Sequence, residues 1–191
     1  MHAVATRKMT AEEYLAFERA SSRKHQYVAG EVFAMAGASP RHNAIVGELI
    51  VRVGQAVSGG PCRVFPSDLK IYVPSFDTFT YPDVSVVCGA LELHPGTSDV
   101  VTNPKVLFEV LSDTTERHDR GDKAEGYRTI PSVADHLLFA QHRVHVEHFA
   151  RQPDGSWLLR EAGPGGRVTL ASVPLVLDVD ALYAGVFDLP A

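Results

Sequence analysis

The segment Lys105-Val106-Leu107-Phe108-Glu109-Val110-Leu111-Ser112 is apolar on both sides of its backbone. Side chains alternate across a strand, so Val106, Phe108 and Val110 share one face and Leu107, Glu109 and Leu111 the other. A strand apolar on both faces belongs in the middle of a covered sheet. Glu109 then stands between two leucines, where an unpaired charge is costly. It needs a metal, a cationic partner or a raised pKa. Tyr81-Pro82-Asp83-Val84-Ser85-Val86-Val87-Cys88 repeats the theme, with Asp83 opening an apolar strand directly after a proline. Two carboxylates on neighbouring strands suit a shared Mg²⁺ or Mn²⁺, which favour oxygen ligands and leave positions for water and substrate phosphate. The same residues are compatible with Asp83 capping a turn and Glu109 pairing with a buried Arg or Lys.

Outward from this pair the pattern is mixed α/β. Thr10-Ala11-Glu12-Glu13 is a capping box that opens a helix to about Glu18. His25 to Ala29 and Glu31 to Ala36 form two strands around Gly30. Ser39-Pro40 is an N-cap followed by proline at the first helical position, and Ile45, Leu49 and Val53 then recur at helical spacing until Ser58-Gly59-Gly60-Pro61. Strands are expected at Arg63–Phe65, Leu69–Val73, Pro82–Cys88 and Lys105–Leu111. Asp119 is placed to cap a helix that Pro131 stops after Ile130. Further strands follow at His136–Gln141, Val144–Phe149, Trp157–Glu161 and Val168–Ala171, with hairpin turns at Pro153-Asp154-Gly155 and Gly163-Pro164-Gly165-Gly166. A short helix from about Val179 to Ala184 closes the chain. This order builds one central sheet.

A length of 191 residues suits a single domain, 1–191. No apolar run is long enough to span a membrane, and Met1 to Thr10 lacks the apolar stretch of a secretory signal, so a cytoplasmic location is expected. Cys62 and Cys88 then read as two buried thiols rather than a disulfide. The formal net charge of −5 argues against a protein that coats nucleic acid, but allows one local basic face. There is no P-loop and no dinucleotide fingerprint.

Lys123, Tyr127 and Ile130 fall on one helical face, so the stem of Lys123 can run along apolar surface toward the carboxylates. There it would hold a water or meet charge on a phosphate. On its own spacing it reads first as an i to i+4 partner of Asp119 on a solvated face. His42 can orient substrate or water, or pack at the helix end. Glu31 can add a carboxylate to a metal shell or serve the turn, and Asp68 can line a cleft or cap a turn. His142-Arg143-Val144-His145-Val146-Glu147-His148 tempts toward zinc, but His145 and Glu147 share a face while His148 points away, so an exposed or edge strand is expected instead. Arg41, Arg52, Arg117, Arg120 and Arg128 are read as surface residues, some able to grip phosphate.

The ordered set Pro82-Asp83, Glu109-Val110-Leu111-Ser112, Asp119-Arg120 and Lys123 with Tyr127 resembles the PD-(D/E)XK nuclease superfamily. More closely, with Tyr27, Gly30-Glu31, His42 and Pro82-Asp83-Val84 in the same order, it is similar to a bacterial family of uncharacterised restriction-endonuclease-like proteins. The resemblance implies a restriction-endonuclease-like α/β core, a central mixed β-sheet flanked by helices. It implies Asp83 and Glu109 as metal ligands, the Val110 carbonyl as a third, Mg²⁺ or Mn²⁺ as cofactor, and Tyr127 as an accessory residue. The usual triplet would place lysine where Leu111 stands, so its role moves to Lys123. The implied activity is hydrolysis of phosphodiester bonds, in DNA more than RNA, by a homodimer. The alternatives are a nuclease scaffold that binds nucleic acid or a protein without cutting, and a metal-dependent hydrolase of another phosphate ester.

Overall fold

Local signals start the elements where the sequence places them. In the computed structural model, which describes residues 7–112 and 116–190, Thr10 and Glu13 close the capping box that opens α1 (Ala11–Ala20). The first six residues, part of the segment judged not to be a secretory signal, lie outside the described residues. Strands β1 (His25–Val28) and β2 (Glu31–Ala34) form a hairpin whose turn sets Ala29 and Gly30 at positive φ. Ser39 caps α2 (Pro40–Val57) by accepting from the His42 N–H. The strands β3 (Cys62–Pro66), β4 (Lys70–Val73), β5 (Thr78–Thr80), β6 (Val84–Cys88), β7 (Val100–Val101) and β8 (Val106–Leu111) follow.

After β8 the helix expected from Asp119 to Ile130 is broken into pieces. It consists of one turn, α3 (Glu116–His118), a wide π-type turn over Asp119–Lys123, and α4 (Ala124–Thr129). Asp119 therefore lies inside the segment and is not its cap. Gly121 carries the non-helical backbone at the break (φ −94°, ψ −114°). Strands β9 (Asp135–Ala140), β10 (Val146–Arg151), β11 (Trp157–Ala162), β12 (Arg167–Leu170) and β13 (Leu175–Asp178) lead to α5 (Val179–Tyr183).

The strands form more than the one sheet expected. A six-stranded mixed sheet runs β11-β10-β9-β8-β6-β3, a five-stranded sheet runs β2-β1-β5-β4-β7, and β12 pairs with β13 alone. The Pro153–Gly155 turn does join the β10–β11 hairpin. Gly163–Gly166 is not a hairpin turn, because it carries the chain from the six-stranded sheet to the separate β12–β13 pair. Nor is β10 an edge strand: it lies between β9 and β11, and its first half is buried.

The alternation read along β8 sorts the core. Val106, Phe108 and Val110 pack with Ile45, Leu49 and Val53 of α2 and with the β12–β13 pair. Leu107, on the opposite face, packs with Tyr127, Ile130, Ile71 and Val87. Covering both faces of β8 removes all six of its residues from solvent. A third cluster, Tyr14, Tyr27, Val32, Phe79 and Val100, joins α1 to the five-stranded sheet.

Cys62 and Cys88 are joined by a disulfide, which overturns the expectation of two thiols. They are register partners in the antiparallel β3–β6 pair, with Cα atoms 3.9 Å apart. That proximity is set by strand register across 26 residues of sequence, which spacing alone does not reveal. Among the described residues, no helix is long and apolar enough to cross a membrane.

Candidate active site

The antiparallel β6–β8 ladder ends at the pair Val84↔Phe108. Continued by one residue, that register sets Asp83 opposite Glu109. Beyond the ladder the Val110 N–H would lack a partner on this side, and the Asp83 side chain supplies one: Oδ2 accepts from Val110 N at 2.7 Å. A carboxylate thus takes the place of a strand carbonyl, which fixes Asp83 at the rim of the sheet. His42, in the first turn of α2, brings Nε2 to 3.2 Å from the same oxygen. The His42 Nδ1 atom is buried with no hydrogen-bond partner among the described residues.

Glu109 is 2% exposed and receives two side chains from the segment after β8. Lys123 Nζ lies 2.8 Å from Oε1, and the Tyr127 hydroxyl donates to the same oxygen at 2.7 Å. The π-type turn and the kink at Gly121 deliver Lys123 here, one turn before Tyr127 on α4. Lys123 also reaches Asp119 Oδ1 at 3.3 Å. The i to i+4 pair anticipated on a solvated face is therefore buried, and it is joined to Glu109. Asp119 is the site residue whose place the sequence understated: its spacing to Lys123 was legible, its burial was not.

Charge in this cluster is unbalanced. Asp83, Glu109 and Asp119 face a single lysine. Burial is the main reason Glu109 is pushed up to about 8; Lys123 pulls against it, and Asp83 and Asp119 add to it. For Lys123 burial opposes the charge, but Glu109, Tyr127 and Asp119 outweigh it and hold the ammonium protonated well above its ordinary value. Burial, then Glu109, raises the Tyr127 phenol, so it stays a neutral donor.

His136, under Tyr127 with ring centres 5.3 Å apart, is fully buried and its pKa is lowered to about 3, chiefly by burial. It behaves as a neutral packing group. A small cleft opens beside Lys123 and Tyr127, lined also by Val73, Phe76, Thr80 and His118.

The remaining expected residues divide. His42 and Tyr127 join Asp83, Glu109 and Lys123. Glu31 is exposed at the start of β2, and Asp68 is exposed before β4 in an ion pair with Lys24. Neither contacts Asp83, Glu109 or Lys123 among the described residues. Of the arginines, Arg117 is exposed, Arg41 donates to the Leu189 carbonyl at 2.8 Å, and Arg52 to the Ala181 carbonyl at 2.9 Å. Arg128 lies over the Phe149 ring. Arg120 is held by Glu116 at 2.8 Å and by Glu147. Gln141, which the sequence did not single out, accepts from Ser39 Oγ at 3.0 Å and so ties the end of β9 to the start of α2.

Comparison with known proteins agrees with this architecture. The solved structure of a putative nuclease belonging to DUF820 from Anabaena variabilis superposes with a TM-score of 0.75, over 93% of this chain and 99% of that one, at 17% sequence identity. The uncharacterized protein slr1290 of Synechocystis sp. is 35% identical over 178 residues, 93% of each chain. A second Synechocystis protein, sll1609, is 34% identical over 162 residues, 84% of this chain and 92% of that one. Residues 11–181 match the family model Uma2, described as a putative restriction endonuclease. The fold is thus restriction-endonuclease-like, and the chain belongs to the Uma2 family.

Proposed function

We propose that this chain, residues 1–191 acting as one domain, is a metal-dependent endonuclease that hydrolyses phosphodiester bonds in DNA. The observation that carries the reading is the buried junction of Glu109 with Lys123, set beside Asp83 at the rim of the central sheet. A buried cluster with more carboxyl groups than cations favours a bound cation. The donors fit a hard divalent ion such as Mg²⁺ or Mn²⁺. Oδ1 of Asp83 and Oε2 of Glu109 accept no hydrogen bond from any described residue, while their companion oxygens are occupied. Asp83, Glu109 and the Val110 carbonyl would hold the ion. When bound, such an ion lowers the pKa of its water and polarises the phosphoryl oxygen.

The chain's own groups have separate tasks. Lys123, charged and desolvated, meets negative charge as it grows on the phosphate. Tyr127 donates to Oε1 and so fixes the orientation of the Glu109 carboxylate. His42 does the same for Asp83 from the α2 side. Leu111 stands where the usual triplet has lysine, and Lys123 brings its ammonium to Glu109 from the π-type turn instead. A homodimer, with one site for each DNA strand, completes the reading.

Incubation of supercoiled plasmid with Mg²⁺ or Mn²⁺ tests it. Nicked or linear product is expected from the wild type, and none above background from Asp83→Asn or Glu109→Gln. Unaltered cleavage by both variants would sink the proposal. A second reading, a scaffold that binds nucleic acid or a protein without cutting, draws on the acidic net charge of −5. Calorimetric titration with Mn²⁺ separates the two, because the scaffold binds none at Asp83 and Glu109.

A further inference from the structure

The run His142–His148 is left unused by the proposed chemistry, although part of it converges with a neighbouring strand. His145 and Glu147 point to one side, as alternation requires. Glu161 of β11 is the register partner of Glu147, so its side chain rises from the same face. Within the run itself His148 points away, so the run alone supplies two converging donors and not three. The third donor comes from β11, fourteen residues beyond Glu147, where local spacing does not look.

We propose that His145, Glu147 and Glu161 form a second divalent-cation site, for a first-row transition ion such as Zn²⁺. Three observations meet there. Nε2 of His145 is buried and has no hydrogen-bond partner among the described residues. It lies 3.6 Å from Glu147 Oε1 and 3.4 Å from Glu161 Oε1. Both distances exceed the usual range of an N–H···O hydrogen bond, whereas ligands about 2.0–2.1 Å from one tetrahedral ion stand roughly 3.3–3.4 Å apart. One ligand atom from each residue falls within 4.8 Å of the others. Finally, Glu147 and Glu161 stand directly opposite on paired strands, so two carboxylates share one face with the imidazole. An imidazole with two carboxylates selects a borderline ion over Mg²⁺ or Ca²⁺.

The base of the site is firmly held. The His145 carbonyl accepts from the Ala140 N–H at 3.1 Å and from the Tyr183 hydroxyl at 2.9 Å, which locates the residue whether or not an ion binds. The competitor is Arg120, whose guanidinium engages both oxygens of Glu147 and is steadied by Glu116. A bound ion shares or displaces that guanidinium. Arg120 belongs to the Asp119–Lys123 turn, so occupancy of this site bears on the turn that carries Lys123. The inference does not rest on the nuclease reading.

Its test is Zn²⁺ titration by calorimetry on the full chain in an Asp83→Asn/Glu109→Gln background, which removes the charges of the proposed catalytic site. One Zn²⁺ per chain is expected to remain. Adding His145→Ala should weaken binding by at least about ten-fold, and adding Arg120→Gln instead should tighten it several-fold. Circular dichroism confirms that each variant is folded; a misfolded His145→Ala is replaced by Glu161→Gln at the exposed strand, with the same loss expected. No Zn²⁺ binding in the background, or binding indifferent to His145 and Glu161, overturns the site. Failure of this titration leaves plasmid cleavage untouched, and failure of cleavage leaves this titration untouched.

Discussion

Replacing Lys123 with methionine keeps the apolar stem and removes the ammonium that holds Glu109. The ion pair is 2.8 Å long, and its side chains are 5% and 3% exposed. Removing one member of such a buried pair costs about 3–5 kcal/mol, because the other charge is left without compensation. The full cost should appear at about pH 9, where the wild-type carboxylate is ionised; at about pH 6 a proton on Glu109 substitutes for the lysine and the cost shrinks. Each kcal/mol moves the melting temperature of a domain this size by roughly 2–4 °C, so the drop at the higher pH is about 6–20 °C. Glu109→Gln/Lys123→Met removes both charges together. Its destabilisation should fall short of the summed single variants by about 2 kcal/mol. Urea denaturation of the four proteins with EDTA present measures this cycle. Additivity within about 0.5 kcal/mol would refute the pair as an energetic unit.

Glu109 also sets a pH dependence. Burial lifts its pKa from 4.5 to about 8, so between those values the folded state binds more protons than the unfolded. Its contribution to stability is full below about pH 4.5 and is lost as the pH rises through about 8. The stability of the wild type relative to Glu109→Gln, measured without metal, should therefore decline across that window; a flat difference contradicts it. His42→Ala removes the group 3.2 Å from Asp83 Oδ2 and should weaken Mn²⁺ binding by about 10–100-fold in calorimetry. Unchanged affinity would assign His42 to packing alone. Reduction of Cys62–Cys88, which closes a loop across 26 residues, should lower unfolding free energy by about 3 kcal/mol in urea titrations. Coincident transitions with and without reductant would contradict that.

The parts of the molecule legible in sequence are those fixed by short-range rules. Thr10 and Ser39 announce their helices because a cap is a contact within one turn. The alternation about Glu109 revealed a strand covered on both faces, because the pleat repeats every second residue. What stayed hidden depends on register or tertiary contact. Cys62 meets Cys88, and Glu147 meets Glu161, only once strands are paired. The short strands β5 and β7, three and two residues long, carry too little pattern to read alone. Their pairing with β1 and β4 makes the second sheet. The π-type turn at Asp119–Lys123 looked helical, since every residue but Gly121 has helical preference enough to pass. For the same reason the burial of Asp119 beside Lys123 and Glu109 was invisible, although the spacing of the pair was plain. Glu31 and Asp68 show the converse: acidic residues near turns, suggestive in sequence, that stand in solvent.

The proposed activity depends on Asp83 and Glu109 holding a divalent cation beside Lys123. Crystals of the full chain grown with Mn²⁺ and measured at a wavelength where manganese scatters anomalously test it without recourse to turnover. Anomalous density is expected within ligand distance of oxygens from both Asp83 and Glu109. Density confined to other places, or none at saturating Mn²⁺, would contradict it.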